Sequence, residues 1–245
     1  TAAALDEAVA YCHSRNVKVY LTLNTLIRQD ELPAVMQVVE RACALGIDAL
    51  IVQDLGLAAL VRRAAPELPL HASTQLSCHT PAGVRLLASM GFKRVVLARE
   101  MTLEEIAACM GQGCEIEIFV HGALCMCVSG QCYLSAMLGG RSGNRGLCAQ
   151  PCRLPFAPLP AKTAGDRRAL SLKDLSLQAH LAALSHLGVD SLKIEGRMKR
   201  PEYVAAAVSV YAGAVRGETP RQEALRDLQA VFSRSGFTDG YLTGQ

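Results

Sequence analysis

The sequence predicts an α/β fold of the (β/α)8 TIM-like barrel type, and three observations point to it. Ala- and Leu-rich helical stretches alternate along the chain with short β-branched runs. A glycine closes several of the helical stretches, at Gly46, Gly91, Gly111 and Gly188, and a strand pattern follows each within a few residues. The strand runs are continuously apolar, which is typical of a parallel sheet covered on both faces. The 245 residues suffice for one such domain, and we expect a single domain over residues 1–245.

The predicted elements follow one another in the order of such a barrel. A helical pattern over residues 5–11 comes first, and Thr102 and Glu105 predict a capping box that opens a later helix. The predicted strands are Val17–Leu23, Ala49–Val52, Leu68–Ala72, Arg94–Leu97, Glu115–Val120 and Ser191–Ile194. These six strand-helix units are two fewer than a closed (β/α)8 barrel contains.

Residues 122–190 form an insertion before the last strand that is too long for an ordinary βα loop. This insertion contains Cys125, Cys132, Cys148 and Cys152, with the spacing C-x6-C-x15-C-x3-C. Thiolates are soft ligands for zinc or iron-sulfur clusters, so the pattern predicts a metal centre. Core packing of small thiols is the alternative, and the Ser, Gly, Gln and Arg neighbours disfavour it.

The spacing favours a 4Fe-4S cluster, with zinc as the alternative cofactor. Structural zinc sites usually combine two tight C-x2-4-C pairs, and here only Cys148 and Cys152 approach that spacing. Cys127 forms a C-x-C pair with Cys125, but on an extended chain it points the other way, and we exclude it from the predicted ligands.

Composition restricts the compartment and the partners. Ten cysteines without a secretory signal predict a reducing compartment, and we expect the cytoplasm. No apolar run is long enough to cross a bilayer, so no membrane partner is expected. The net charge of +3 is too small to indicate that the protein as a whole attracts nucleic acid electrostatically. Locally, Arg141, Arg145 and Arg153 predict contact with a polyanionic substrate, although a merely solvated basic loop is an equal alternative.

Barrel enzymes place their sites at the carboxyl ends of the strands, and polar residues follow the predicted strands here. We expect substrate-binding roles for Asn24, Gln53, His71, Gln75 and Lys193. The candidate catalytic residues are Arg99, Glu117, His121, Glu195 and Arg197.

The chemistry of these side chains leaves alternatives open. His121 could transfer protons or only hydrogen-bond to the nearby backbone. Arg99, Arg197 and Lys193 could bind carboxylate or phosphate groups, or form ion pairs with Glu100 and Glu195. The sequence contains no HExxH motif and no G-x-S-x-G motif, which disfavours a protease.

Three long stretches of the sequence resemble the conserved sequence motifs of the collagenase-like proteins of peptidase family U32. They are EIFVHGALC-x4-GQCYLS at residues 117–135, NRGLCAQPCR at 144–153 and SLKIEGRMKRPEYV at 191–204. The resemblance implies two further strand-helix units ahead of this chain, which is then a fragment of the barrel. It also implies that Cys152 is the least secure ligand, because some subfamilies draw one cysteine from elsewhere.

The resemblance suggests several activities. Bacterial relatives of this kind include oxygen-independent hydroxylases of pyrimidines in tRNA or rRNA, for which prephenate is a candidate hydroxyl donor. Our leading hypothesis is therefore an iron-sulfur RNA hydroxylase with an RNA substrate. A collagenase-like peptidase is the alternative. Hydroxylation of a ubiquinone precursor, or a structural metal-binding role beside a homologous partner subunit, is a third possibility.

Overall fold

A computed structural model of the chain describes residues 2–156, 168–196, 199–218, 222–231, 233 and 235–244. The strands are β1 Tyr20–Leu23, β2 Ala49–Val52, β3 Leu70–Ala72, β4 Arg94–Val96, β5 Glu115–Ala123, β6 Asp174–Ser176, β7 Ser191–Ile194 and β8 Phe237–Thr238. The helices are α1 Ala2–His13, α2 Leu32–Ala44, α3 Leu55–Ala64, α4 Pro81–Ser89, α5 Leu103–Cys109, α6 Leu134–Gly139, α7 Leu181–His186, α8 Pro201–Val215, α9 Gln222–Val231 and α10 Gly240–Thr243. The protein is thus a mixed α/β fold.

The strands form one mostly parallel sheet. Strands β1 to β5 pair in sequence order and β7 pairs with β5, all in parallel. The end of β5 also pairs with β6 in antiparallel orientation, and β6 pairs with β8. Across the described ranges no pairing joins β1 to β7, so the sheet is open. None of the helices described is long and apolar enough to cross a membrane.

Most predicted strands are confirmed, and β2 and β7 have the predicted bounds. The first strand begins later than predicted because the backbone N–H of Val17 donates to the carbonyl of Cys12 and so closes the end of α1. The third strand begins at Leu70 because the N–H of Leu68 closes a turn onto Ala65. The fifth strand is longer than predicted because its last residues pair with β6.

The predicted helix signals are also present. The glycines that end the helical stretches have φ values of 69° at Gly46, 86° at Gly91, 69° at Gly111 and 78° at Gly188, a region that favours glycine. At α5 the Thr102 hydroxyl accepts the N–H of Glu105, whose carboxylate accepts the N–H of Thr102 in return. This capping box satisfies two donors that a helix start leaves free.

The two faces of the parallel sheet differ in chemistry. The register places Leu50, Leu70, Val95 and Ile116 on one face, and all four are buried in the core. The opposite face carries His71, Arg94, Glu117, Ser191 and Lys193. The chemistry of the fold is therefore concentrated on one side of the sheet.

The long insertion has structure of its own. Between the end of β5 and the start of β7 lie α6, β6, α7 and three 3-10 turns, at Gly143–Arg145, Pro151–Arg153 and Gln178–His180. The pairs Gly122↔Leu175 and Ala123↔Asp174 join the entry and the exit of its Cys-rich part. This ladder fixes the Cys-rich segment, residues 124–156, at the carboxyl end of β5.

Candidate functional site

A charged cluster lies on the polar face, inside the strands rather than at their ends. Lys193 Nζ lies 2.7 Å from Glu117 Oε1, while Arg94 Nη1 and Ser191 Oγ lie 3.1 Å and 2.9 Å from Glu117 Oε2. Arg94 also donates to Glu115 over 2.8 Å. Parallel strands in register bring these alternate residues of β4, β5 and β7 side by side.

The cluster holds Glu117 as an anion although only 5% of the residue is exposed. Burial pushes the pKa of Glu117 upward, but Lys193, Ser191 and Arg94 together lower it below its ordinary value. Breaking a buried ion pair by removal of one partner costs about 3–5 kcal/mol, so this cluster rigidifies the polar face.

Two buried side chains on this face have an unsatisfied atom. His71 Nδ1 and Gln53 Oε1 have no hydrogen-bond partner within the described residues, and the residues are 4% and 7% exposed. Burial, followed by the charge of Arg94, lowers the pKa of His71 to about 4. His71 is therefore neutral at physiological pH, and it packs edge-on against Tyr20 at 4.8 Å between ring centroids.

A second polar layer lies at the carboxyl ends of the first three strands, as the sequence predicted. Gln75 donates to the carbonyl of Asn24 over 2.7 Å, and Gln53 donates to the carbonyl of Gln75 over 3.3 Å. Asn24 Nδ2 lies 3.4 Å from the hydroxyl of Ser73. The structure thus brings Asn24, Gln53 and Gln75 together at one edge of the sheet.

Arg99 and Glu195 pair at the same edge, after β4 and β7. Arg99 Nη2 lies 3.1 Å from Glu195 Oε2, and the guanidinium lies 3.9 Å from the centroid of the Phe119 ring. The predicted ion pair of Arg99 is therefore formed with Glu195. Arg197 lies outside the described residues.

The Cys-rich segment packs directly on this edge. Ser129 is buried, its hydroxyl contacts Glu100 and the N–H of Arg99, and its carbonyl accepts the hydroxyl of Ser77. At Gly130, with φ of 77°, a Cβ atom would lie 2.2 Å from the carbonyl oxygen of Gln75. Only glycine allows so close an approach between the segment and the sheet edge.

The four predicted metal ligands share one neighbourhood. Burial raises the pKa of Cys152, Arg153 opposes that rise, and the thiols of Cys125, Cys148 and Cys132 add to it. Cys148 is exposed and accepts the N–H of Gln150 over 3.3 Å, while the other three are half-buried. In the parts of the chain that the structure describes, no three His, Cys, Asp or Glu side chains form a group that could hold a metal ion as they stand. The donor set is that of a thiolate site, but its sulfurs are not gathered around one point.

Cys127 lies closer to the predicted ligands than the sequence suggested. Burial raises the pKa of its thiol, and the charges of Cys132 and Cys125 and a hydrogen bond with Cys132 raise it further. The turn at Val128–Gln131, between Cys127 and Cys132, brings these two thiols together. A fifth thiol therefore adjoins the predicted set.

His121 lies on the apolar side of the site. It is 1% exposed, and its ring is surrounded by Tyr203, Tyr211 and Phe237 at centroid distances of 5.8, 5.3 and 5.3 Å. Tyr211 Oη lies 3.3 Å from Nδ1, and burial lowers the pKa of His121 to about 4. Among the described residues the ring thus contacts the Tyr211 hydroxyl rather than the backbone, and a role of His121 in proton transfer stays a prediction.

The basic residues of the segment divide into two kinds. Arg153 donates to the carbonyls of Leu124 and Leu172 and to Ser171, and Arg145 donates to Leu26 and pairs with Glu31. Both hold the segment to the rest of the protein. Arg141 is exposed and donates only its Nε to Leu147 among the bonds of the described residues, so it is the member of the predicted set best placed to meet an anion.

Several residues of the site were missed by the sequence analysis. Arg94, Glu115 and Ser191 were interpreted as strand starts, yet they complete the charged cluster. The alternation of charged and apolar residues in Glu115–Ile118 and Ser191–Ile194 was the available signal. Tyr241 is another, since it lines a small cavity together with Arg99 and Phe119, and burial, Glu100 and Cys125 raise its pKa. No sequence pattern connects Tyr241 with the cysteines.

Known proteins similar to this chain carry two kinds of name. The "23S rRNA 5-hydroxycytidine C2501 synthase" of Escherichia coli is 41% identical, over 84% of this chain and 32% of its own length. The "tRNA hydroxylation protein P" of Helicobacter pylori is 33% identical, over 99% of this chain and 62% of its own length. A "Collagenase" of Porphyromonas gingivalis is 34% identical, over 96% of this chain and 61% of its own length. The chain thus spans between 32% and 62% of the length of these relatives.

A solved structure and a family model agree with these relatives. The U32 peptidase Mk0906 matches with a TM-score of 0.51 at 15% sequence identity, over 80% of this chain and 76% of that one, which shows a shared fold. The model of peptidase family U32 matches residues 1–245. The resemblance in the three conserved sequence motifs is therefore confirmed over the whole chain, and this protein belongs to peptidase family U32.

Proposed function

We propose that this chain is part of an iron-sulfur-dependent, oxygen-independent hydroxylase that modifies a pyrimidine in tRNA or rRNA. The observation that carries the proposal is that the Cys-rich segment, with its four predicted ligands, packs on the polar carboxyl edge of the parallel sheet. Relatives of this chain are named for rRNA and tRNA hydroxylation. Prephenate is the candidate hydroxyl donor, and the cytoplasm is the proposed compartment.

Cys125, Cys132, Cys148 and Cys152 are the residues that would hold a 4Fe-4S cluster, which supplies one-electron chemistry when bound. The spacing of these cysteines favours a cluster over zinc. Structural zinc sites usually combine two tight C-x2-4-C pairs, and only Cys148 and Cys152 approach that spacing. The four thiols lie close enough to affect one another's charge.

The chain's own side chains would position the substrate. Asn24, Gln53 and Gln75 offer amide groups that match the hydrogen-bonding edge of a pyrimidine, and Gln53 has an acceptor without a partner in the described structure. Arg99 lies beside Glu195 at the same edge and can bind a carboxylate or phosphate if that pair opens. The cluster of Glu117, Arg94 and Lys193 would hold the strands below these groups in fixed positions.

We also propose that the complete protein folds as a closed (β/α)8 barrel. The parallel run of β1 to β5 and β7 is the order expected in a (β/α)8 barrel that lacks its first two units. Two further parallel strands between β7 and β1 would close it. A homologous subunit is a possible further partner of the complete protein.

The test compares RNA nucleosides from a wild-type strain and a deletion strain by mass spectrometry. We expect one 5-hydroxypyrimidine to disappear on deletion and to return with the wild-type gene but not with Cys125→Ser or Cys132→Ser. The purified protein, prepared without oxygen, should absorb visible light at about 400 nm, and the Ser variants should not. Cys43→Ser is the matched control, because Cys43 is an exposed thiol on α2. An unchanged nucleoside profile in the deletion strain contradicts the proposal.

Peptide hydrolysis is the second candidate, favoured by the relative named collagenase and by the family name. The described hydrogen bonds contain no serine, threonine or cysteine side chain bonded to a histidine ring, which is the usual arrangement for activating a nucleophile. Gelatin cleavage that survives removal of iron, together with unchanged RNA nucleosides, would favour the peptidase.

A further inference from the structure

The Cys-rich segment exposes a group of large apolar side chains around α6. Tyr133, Met137, Leu138 and Leu147 are 60%, 83%, 65% and 54% exposed, and we call them the α6 surface. Tyr133 and Met137 are one helical turn apart, joined by a 2.9 Å bond from the Met137 N–H to the Tyr133 carbonyl, so they lie on one side of the helix. Apolar side chains concentrated in this way usually mark an interaction site.

Two hydrogen bonds hold Leu147 and the residues after it beside this helix. Arg141 follows α6 and donates to the Leu147 carbonyl over 3.1 Å, and the buried Ser135 hydroxyl accepts the N–H of Ala149 over 2.9 Å. These bonds hold residues 147–149 against the helix. The apolar surface is therefore built on a fixed backbone, beside the thiols of Cys132 and Cys148.

The Cys-rich segment contributes positive charge and no acidic residue of its own. Residues 122–165 contain no Asp or Glu, whereas Arg141, Arg145 and Arg153 all lie in that stretch. A surface for a second copy of this chain or for a basic peptide would gain from carboxylates at its rim, and this segment supplies none. An exposed aromatic ring, here Tyr133, beside an exposed arginine, here Arg141, in a segment without acids is instead a combination that suits an unpaired nucleic-acid strand.

We infer that the α6 surface binds a single-stranded stretch of the RNA substrate, with a base stacked on Tyr133 and a neighbouring phosphate at Arg141. This inference rests on the proposed function and adds to it that the target pyrimidine lies in an unpaired region. Tyr133 directly follows Cys132 in the sequence, so a base stacked on Tyr133 lies next to a predicted metal ligand. Met137 covers the adjacent ribose or base with an adaptable apolar side chain.

The experiment measures binding of a fluorescent single-stranded oligouridine, and of its duplex with oligoadenosine, to the natural full-length protein across a salt series. Tyr133→Ala should weaken single-strand binding about 5- to 100-fold, the range for loss of one base stack. The slope against salt should not change, because stacking releases no counterions. Tyr133→Phe should retain binding, since it keeps the ring. Tyr11→Ala is the matched control, because Tyr11 is 61% exposed on α1, away from this segment.

A second readout does not depend on the folding of a variant. An oligonucleotide with 5-iodouridine, crosslinked to the wild-type protein by light and mapped by mass spectrometry, should label Tyr133. Wild-type RNA binding that Tyr133→Ala leaves unchanged, with no crosslink at residue 133, would overturn the inference but not the proposed function. The same result with altered self-association in sedimentation would assign the surface to a second copy of the chain. A wild-type protein that binds no RNA would overturn both.

Discussion

Glu117 illustrates how single residues shape the site. A carboxylate in the middle of a parallel sheet is unfavourable unless donors surround it, and here Lys193, Arg94 and Ser191 do so. His71 and His121 are the opposite case. Both are buried imidazoles whose pKa burial lowers to about 4, and each retains a nitrogen without a partner in the described structure.

These two histidines predict how stability depends on pH. In the unfolded chain a histidine has a pKa of about 6.5. Below that pH the unfolded state binds a proton that the folded state does not bind. The stabilisation that neutral His121 provides is therefore complete above about pH 6.5 and is lost as the pH falls toward 4. Between pH 7 and 5 we expect the free energy of unfolding to fall by about 2 kcal/mol from His121 alone.

Urea unfolding at the two pH values checks this expectation. His121→Phe should remove most of that pH-dependent loss, whereas His186→Gln, at an exposed histidine on α7, should leave it in place. An identical pH dependence in His121→Phe and wild type would show that His121 is not held neutral.

At the scale of elements, the sequence predicted the parts of the fold that have strong periodic signals. Apolar runs gave β2 and β7 with their bounds, and glycines gave the helix ends. Strands β6 and β8 were missed because neither is a continuous apolar run, since β6 is Asp-Leu-Ser and β8 has only two residues. The edge residues Asn24, Gln53 and Gln75 were predictable from their place after strands, but the cluster around Glu117 depends on register between distant strands.

The contact between Gly130 and the Gln75 carbonyl predicts how the Cys-rich segment depends on one glycine. Gly130→Ala adds a Cβ against backbone and requires a residue with positive φ, so we expect a loss of about 1–3 kcal/mol and displacement of the segment. Gly139→Ala on α6 is the control, because a Cβ there meets nothing within 4 Å and alanine favours a helix.

Hydrogen exchange read by mass spectrometry is the measurement for this pair. Peptides covering residues 125–132 should exchange faster in Gly130→Ala and remain as protected as wild type in Gly139→Ala. Equal protection in both variants would mean that the segment does not depend on this contact.

At the scale of the whole molecule, the Cys-rich segment is attached to the sheet by arginines as well as by backbone. Arg145 reaches from the segment to Leu26 and Glu31, which lie between β1 and α2. Arg153 joins Leu124 to Ser171 and Leu172. The positive charge of the segment is thus partly structural, and Arg141 is its exposed part.

This division predicts different effects from two substitutions that remove the same charge. Arg145→Ala should lower the free energy of unfolding by about 1 kcal/mol and leave the salt dependence of RNA binding unchanged. Arg141→Ala should leave stability within about 0.5 kcal/mol and reduce the slope of log K against log salt by about 0.7, the value for one phosphate of a single strand. Fluorescence anisotropy at several salt concentrations and urea unfolding separate the two outcomes. The reverse assignment would make Arg145 the phosphate contact.

The antiparallel pairing of β5 with β6 has a consequence for the order of assembly. Because Gly122 faces Leu175 and Ala123 faces Asp174, a loop of about fifty residues is closed as soon as this short ladder forms. The largest entropic cost of gathering Cys125 and Cys152 is then met by the sheet itself, before any ligand arrives. The sheet can therefore fold first and leave these cysteines held in one segment, and loading of the proposed cluster would then be a late step that need not compete with folding.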